Sequence, residues 1–489
     1  MLDLLKKEAN KTLTENGAVT YETTSSDCLD LFATVGALRQ AGKSDIKDRF
    51  IRAYAENPDI AMKILFYGRD IRGGLGERRV FRTILNYLAK NNTSSVIKNI
   101  PYIAEYGRFD DLLLLLDTPC EKEAIAYLKN QLDLDLEACN NGESISLLAK
   151  WLPSVNASNG RTRENAIKIA KAFNMSLSEY RKTLSKLRAY THIIENNLRE
   201  KDYSFDYEKQ PSKALFKYKQ AFIRNDKEKY MEFIQKASEG TAKLHADNVA
   251  PYELIDPYIR YGRMEDVSEE VAKVLNATWE ALPDYGSDED AIAVVDTSGS
   301  MYGYQSPSPA SVALSLGLYF AEHNKGRFKN HFIEFSDKPQ LIEIKGKTFV
   351  DKLRYLTTFS RVADTNLEAM FDLILNTAKD NNLKQEELPG KLVIITDMEF
   401  NCCVEDASLT NFENAKRKYA ACGYKLPDVV FWNVASRNKQ QPVTMNEQGV
   451  ALVSGCTPKL FEMIASNELS PYKFMLDVIG SERYAKIVA

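Results

Sequence analysis

Along the first 285 residues apolar side chains return every third or fourth position, and beyond residue 289 they fall into short unbroken runs. In the first part, "SSDCLDLFATVGALR", "IKDRFIRAYAENPDIAMKILFYGRDIR", "ERRVFRTILNYLAKN" and the stretch from Arg199 to Ser238 keep the i, i+3/i+4, i+7 spacing of amphipathic helices. Several open on Ser, Asp or Asn and stop near Gly, Asn or Pro, as capped helices do. Many helices of this length joined by short polar turns predict a stacked array of helical pairs rather than a bundle. An internal echo, "YIAEYGRFDDLLLLL" (102–116) and "YIRYGRMEDVSEEV" (258–271), agrees with a degenerate repeat and no strict period.

The loop "EALPDYGSDED" (280–290) ends this pattern. After it, "AIAVVD", "HFIEF", "LVIITD", "VVFWNV" and "VALVSG" alternate with helix-like segments at 308–325, 365–381 and 409–422. Strands separated by helices of that length predict βαβ units and a largely parallel, Rossmann-like sheet. The expected organisation is a helical repeat domain over 1–285 and an α/β domain over 289–489. The α/β domain carries a last helix, "SPYKFMLDVIGSERYAKIV", which closes the two parts on each other if it packs back on the array.

Composition narrows the function. A chain of 489 residues is too long for one ordinary core, and 44% hydrophobic with 27% charged residues supplies apolar surface for several. A net charge of −4 argues against a uniformly basic coat but leaves room for a local basic face. The seven cysteines are scattered with no CxxC pair, and only four histidines exist, which disfavours a zinc cluster or a disulfide framework and fits a reducing compartment. The N-terminus lacks the apolar core of a signal peptide, and no run of about 18 apolar residues exists to span a membrane. A cytoplasmic location is expected.

The candidate chemistry begins at "AIAVVDTSGSM" (291–301), where an apolar strand runs into an acid and hydroxyls. In an open parallel sheet, ligands sit beyond the carboxyl ends of the strands. Period-two geometry past the strand lets Asp296, Ser298 and Ser300 face one crevice, with Gly299 permitting the tight turn. "LVIITDMEF" delivers Asp397 at a second strand end, and "VADTNLEAMFDLIL" brings Thr365 to the start of a helix. Two acids and three neutral hydroxyls form an all-oxygen set suited to Mg²⁺ or Mn²⁺ rather than zinc. The same hydroxyls also suit a plain strand-to-helix turn with capping serines. A phosphatase would place a second aspartate at Ser298, an aspartic protease would need paired D-T-G loops, and His323 and His331 lie at the far end of the first crossover. A nucleophilic enzyme is therefore not expected.

The order D-x-S-x-S, loop threonine, strand-end T-D resembles the metal-ion-dependent adhesion site of von Willebrand factor A domains, over roughly 289–465. The resemblance implies that Ser298, Ser300 and Thr365 bind the cation directly. It makes Asp296 and Asp397 shared or water-mediated ligands, and it leaves a position for a carboxylate from a protein partner.

Residues 161–224 hold 15 Lys or Arg against 7 Asp or Glu, so the rest of the chain sums to −12. Arg181, Lys182, Lys186 and Arg188 lie within two helical turns, and Lys213 and Lys217 alternate with Phe216, Tyr218 and Phe222. Basic groups beside aromatics suit a phosphate backbone and unstacked bases, although a solvated helix face with inward aromatics has the same composition. A second basic cluster, "GRDIRGGLGERRVFR" (68–82), lacks the strand and lysine of a phosphate loop and reads as a glycine loop between helices.

"IRGGLGERRVFR", "YGRFDDLL", the stretch 147–188 and "PSKALFKYKQAFIRND" resemble a domain-of-unknown-function family of plants, bacteria and large viruses. That family is in turn similar to the TROVE module of the Ro autoantigen. The resemblance implies a HEAT-like helical array, ring-shaped in the Ro module, that binds small structured RNAs and single-stranded RNA ends. It points to Arg161, Arg163, Arg181, Lys182, Lys186, Arg188, Lys213 and Lys217 as RNA contacts. The resulting expectation is a non-catalytic RNA-binding protein with a divalent-metal site. A metal-dependent protein-interaction scaffold is the alternative.

Overall fold

The computed structural model describes residues 1–260, 262–286, 288–303, 306–335, 338–359, 366–402, 409–465 and 469–489. Helices dominate up to Glu280, each touching the next along the chain: Asp27–Thr34, Lys43–Glu56, Pro58–Arg69, Arg78–Asn91, Thr93–Tyr106 and Glu121–Asn140 follow one another in contact. Their starts obey local chemistry. Asn57 accepts the Ile60 N–H just ahead of Pro58, and Ser176 with Glu179 forms a reciprocal capping box on Leu177–Tyr190. The array continues through Gly160–Ala172 and Lys227–Ser238 to Glu269–Glu280.

Two short antiparallel pairings accompany the main sheet among the described residues. The N-terminal hairpin pairs β1 (Lys11–Leu13) with β2 (Val19–Tyr21), and β3 (Ile259–Arg260) pairs with β4 (Arg263–Met264). The main sheet contains β5 (Ala291–Asp296), β6 (His331–Phe335), β7 (Gln340–Glu343), β8 (Lys391–Thr396), β9 (Asp428–Asn433) and β10 (Val450–Ser454). Their order is β10-β9-β8-β5-β6-β7, parallel throughout except for β7, which runs antiparallel at the edge.

The continuous apolar runs follow from burial on both faces. Ala291, Ala293 and Val295 face one layer with Val393, Val430 and Ala451, whereas Ile292 and Val294 face the other with Leu392, Ile394 and Phe431. The second layer lies under helices Leu367–Asp380 and Asn411–Ala421. The first layer, with helix Pro309–His323, is continuous with the core of the helical half. The change of period at residue 285 therefore marks a change of architecture within one shared core.

Contacts across the two halves are extensive. Gly36 packs so tightly on the Ser454–Gly455 backbone that an added Cβ would lie 2.6 Å from the Ser454 carbonyl oxygen. The first twenty-odd residues, which the helical reading places in the array, instead dock on the sheet unit: Thr20 donates to the Gln441 carbonyl at 2.7 Å and Thr14 to that of Phe400 at 2.6 Å. At the other end, helix Pro471–Ile479 returns to the array and touches Asp27–Thr34 and Pro58–Arg69. Arg39, in the bend after helix Asp27–Thr34, lies 5.1 Å over the ring of Tyr252 in the turn Pro251–Leu254, so early and late segments of the helical half meet.

Candidate metal centre

Chain order brings β6 to one side of β5 and β8 to the other, so the carboxyl ends of β5 and β8 open a crevice at the point where the winding reverses. Asp296 ends β5 and is fully buried. Its Oδ1 accepts the Ser298 N–H at 2.8 Å, a local turn typical of Asp, and its Oδ2 accepts the Thr396 hydroxyl at 2.5 Å. Ser298 precedes a single 3₁₀ turn (Gly299–Met301), yet its hydroxyl caps no backbone group. It lies 3.1 Å from the Ser300 hydroxyl instead, so the turn reading is correct for the backbone and does not account for the serine side chains.

The turn does not draw on left-handed freedom at Gly299. The left-handed residue is Met398, at φ 68°, directly after Asp397. A non-glycine residue there costs on the order of 1–2 kcal/mol. Two hydrogen bonds hold the bend: Met398 N–H to the Thr396 hydroxyl and Glu399 N–H to Asp397 Oδ1, both at 3.2 Å.

Asp397 is 2% exposed and receives the Arg437 guanidinium on Oδ2 at 2.9 Å and a bond from the Ser300 side chain. Burial raises the pKa of both Asp296 and Asp397, and the Asp397 charge raises Asp296 further. The Arg437 guanidinium therefore meets Asp397 alone of this pair, while the Asp397 charge acts on Asp296 and the buried Glu399 carboxylate acts on Asp397. Hard cations take oxygen ligands, and this donor set of two carboxylates and two uncapped hydroxyls suits Mg²⁺ or Mn²⁺. No group of three or more His, Cys, Asp or Glu side chains gathers as a metal cluster among the described residues, so the hydroxyls are essential to any such site. Thr365, the remaining expected ligand, lies outside the described residues.

Sequence reasoning missed Glu399, Arg437 and Glu15, and it used Thr396 only as part of the strand-end T-D pattern without giving its side chain a role. Glu399 is buried and accepts from Asn438 at 2.9 Å, Gln440 at 2.8 Å and the Glu15 N–H at 2.9 Å. Thr396 and Glu399 flank Asp397 in the quoted strand end, whereas Arg437 and Glu15 carry no local signal. His323 and His331 bond the carbonyls of Tyr319 and Lys329, His323 ending a helix and His331 beginning β6, at the sheet edge opposite Asp296.

The basic residues separate into two kinds. Arg163, Arg181, Lys182 and Lys217 are exposed and carry no ion pair among the described residues. Arg161 is exposed but pairs with Asp117 at 2.5 Å, Lys213 pairs with Glu253 at 2.6 Å, and Lys186 donates to Asn140 at 2.6 Å. Arg188 departs from the expectation of an open RNA contact. Its three nitrogens donate to the Ala149 carbonyl at 2.8 Å, the Ser154 hydroxyl at 2.7 Å and the Leu152 carbonyl at 2.7 Å. These carbonyls end the short helix Leu148–Trp151 and need donors, which helical spacing within 177–190 does not reveal. Phe216 and Phe222 are also turned inward and are not free to stack on bases.

Two family models cover the chain. The model described as domain of unknown function DUF2828 matches residues 14–132 and 122–285, and that described as domain of unknown function DUF7788 matches residues 290–472. The uncharacterized protein L728 of Acanthamoeba polyphaga mimivirus is 31% identical over 513 aligned positions, covering 96% of this chain and 87% of the relative. The crystal structure of the Deinococcus radiodurans Ro (RSR) protein aligns over 93% of both chains, at 12% identity and a TM-score of 0.36. That last likeness is too slight to bear on fold or function.

Proposed function

We propose that this chain, which belongs to the DUF2828 family, is a non-catalytic RNA-binding protein whose α/β unit is a von Willebrand A-like domain holding a divalent cation. The observation that carries the RNA reading is the exposure of Arg163, Arg181, Lys182 and Lys217 without ion pairs, inside a stretch with an excess of eight positive charges. Such side chains are free to release counterions from a phosphate backbone. Arg161, Lys186 and Lys213 add charge but must first leave an acid or amide partner. The contact of Arg39 with Tyr252, and the docking of the sheet on Gly36, support a HEAT-like array closed into a ring.

Asp296, Ser298, Ser300 and Asp397 would hold Mg²⁺ or Mn²⁺, with Thr365 as the fifth residue of the set. When bound, the cation supplies a positive centre that attracts an acidic ligand. The protein's own groups orient the oxygens: Thr396 fixes Asp296, the Ser298 backbone fixes its other oxygen, and the Met398 bend aims Asp397.

Titration of single-stranded and structured RNA at several salt concentrations tests the RNA reading. Affinity is expected to fall steeply with salt, and R181A/K182A to reduce that slope by about two charges. Absence of any shift at low salt sinks this reading. Mn²⁺ binding that survives Ser298→Ala with Asp397→Ala rules out the metal assignment.

A further inference from the structure

Arg437 stands between two carboxylates. One terminal nitrogen donates to Asp397 Oδ2 at 2.9 Å, and the other lies 3.2 Å from Glu15 Oε2. Glu15 belongs to the turn of the β1–β2 hairpin, which is docked at the exit of β8. Besides the Thr14 bond, Asn16 donates to the Glu399 carbonyl at 2.7 Å and the Glu15 N–H to Glu399 Oε2 at 2.9 Å. On its open side Arg437 lines a cleft of about 540 Å³ between the 37–45 segment and the carboxyl ends of the sheet, together with Asp45, Pro307, Pro309 and Ser436.

We propose that Arg437 is the resident counter-ion of the Asp296–Asp397 pair and makes the site selective for divalent cations, with Glu15 as the seat that keeps Arg437 when a metal arrives. This rests on the metal reading above. A monovalent ion replacing the guanidinium at Asp397 brings one positive charge where one already stood, and gains little. A divalent ion adds a charge to a buried pair of acids that a single guanidinium leaves under-neutralised. Arg437 needs no long movement in the exchange, because its second nitrogen already touches Glu15. The cleft leaves room for the arm that lets go of Asp397. Glu15 is half exposed, so Arg437 moves from a buried acid to a solvated one.

Titration of the full chain with Mn²⁺, read as loss of the free-ion electron paramagnetic resonance signal, decides this. Removing a neighbouring positive charge in R437Q is expected to tighten Mn²⁺ binding roughly tenfold. E15Q weakens the seat and a nearby negative charge, so it is expected to loosen binding about threefold. R437K keeps the charge and stays near wild type, which a purely structural arginine would not permit. At constant ionic strength, exchanging choline for Na⁺ weakens Mn²⁺ binding more in R437Q than in wild type. Shifts of the same sign in R437Q and E15Q, or none, overturn the proposal while leaving the metal centre standing. E15Q alters a solvent-facing side chain, so its sign remains readable even if R437Q is poorly folded. Absence of Mn²⁺ binding in both wild type and R437Q overturns the metal centre and this proposal together.

Discussion

Arg483, six residues from the end of the chain, grips both oxygens of Asp70 at the end of helix Pro58–Arg69, 413 positions away. Asp70 is fully buried and also accepts the Tyr484 hydroxyl at 3.0 Å and the Arg72 N–H at 2.9 Å. Tyr484 is itself packed against Tyr67 and stacked on Tyr106. This clasp ties the end of the chain to the helical array.

Arg483→Ala leaves the Asp70 charge buried without its guanidinium. It is expected to cost about 2–3 kcal/mol, the modest end for a broken buried pair because Arg483 is partly exposed. Burial by itself would raise the Asp70 pKa, but the Arg483 bonds and the Arg72 and Gly73 N–H groups outweigh it and hold the carboxyl below its ordinary range. A depressed native value means this stabilisation is present above the unfolded value of about 3.9 and is lost as pH falls through the lower folded one. Urea unfolding from pH 6 to pH 3 checks it: the acid-side loss of stability is expected to be shallower in R483A.

Gly36→Ala is expected to destabilise by about 3 kcal/mol, because its new methyl meets backbone rather than a yielding side chain. The Gly36 N–H bond to the Ser454 hydroxyl, 3.0 Å, is then stretched as well. Limited proteolysis should show the α/β unit released from helix Asp27–Thr34 at temperatures where the wild-type chain resists.

Arg188 and Arg181 make a matched contrast on one helix. Arg188→Ala strands two carbonyls and a hydroxyl, an expected loss of about 2–4 kcal/mol, visible as a lower unfolding temperature. R181A/K182A touches only exposed, unpaired groups and should change stability by less than about 0.5 kcal/mol while weakening RNA binding. Equal losses of stability in the two variants would contradict this division.

Lys219 is buried, its only hydrogen-bond acceptor among the described residues being the Phe216 carbonyl at 3.2 Å, and burial brings its pKa down to about 8. The unfolded chain, with a lysine value near 10.4, binds more protons between these limits, so stability rises with pH across that window. Lys219→Met is expected to stabilise the protein by roughly 1 kcal/mol at pH 7, with the difference closing toward pH 10. The Phe216 ring 3.8 Å from the ammonium offsets part of the burial cost and keeps the gain small. Thermal unfolding at pH 7 and pH 10 measures it.

Much of the architecture was legible in one dimension. "AIAVVD" and "LVIIT" are unbroken apolar runs because both faces of β5 and β8 are covered, and a run of that kind needs no partner to be recognised. Asp296, Ser298, Ser300 and Asp397 were legible for a related reason: strand ends in a parallel sheet face one edge, so residues just past them share a crevice. Arg437 was not, since its partners Asp397 and Glu15 come from the end of β8 and from the N-terminal hairpin, and no spacing near Arg437 encodes either.

The sequence by itself determined the long helices, the five parallel strands and where the hydroxyls and acids collect, because periodicity, capping and strand-end position act over a few residues, whereas the two short hairpins and the edge strand β7 left no such signal. Only the tertiary structure decided that residues 10–24 complete the α/β unit, that the last helix and Arg483 return to Asp70, that Arg188 serves the 149–154 carbonyls, and that a guanidinium already faces Asp397. Each depends on groups tens to hundreds of residues apart meeting in a dry interior. There an unpaired charge or carbonyl is costly, and the partner that satisfies it is chosen by packing rather than by neighbourhood in the chain.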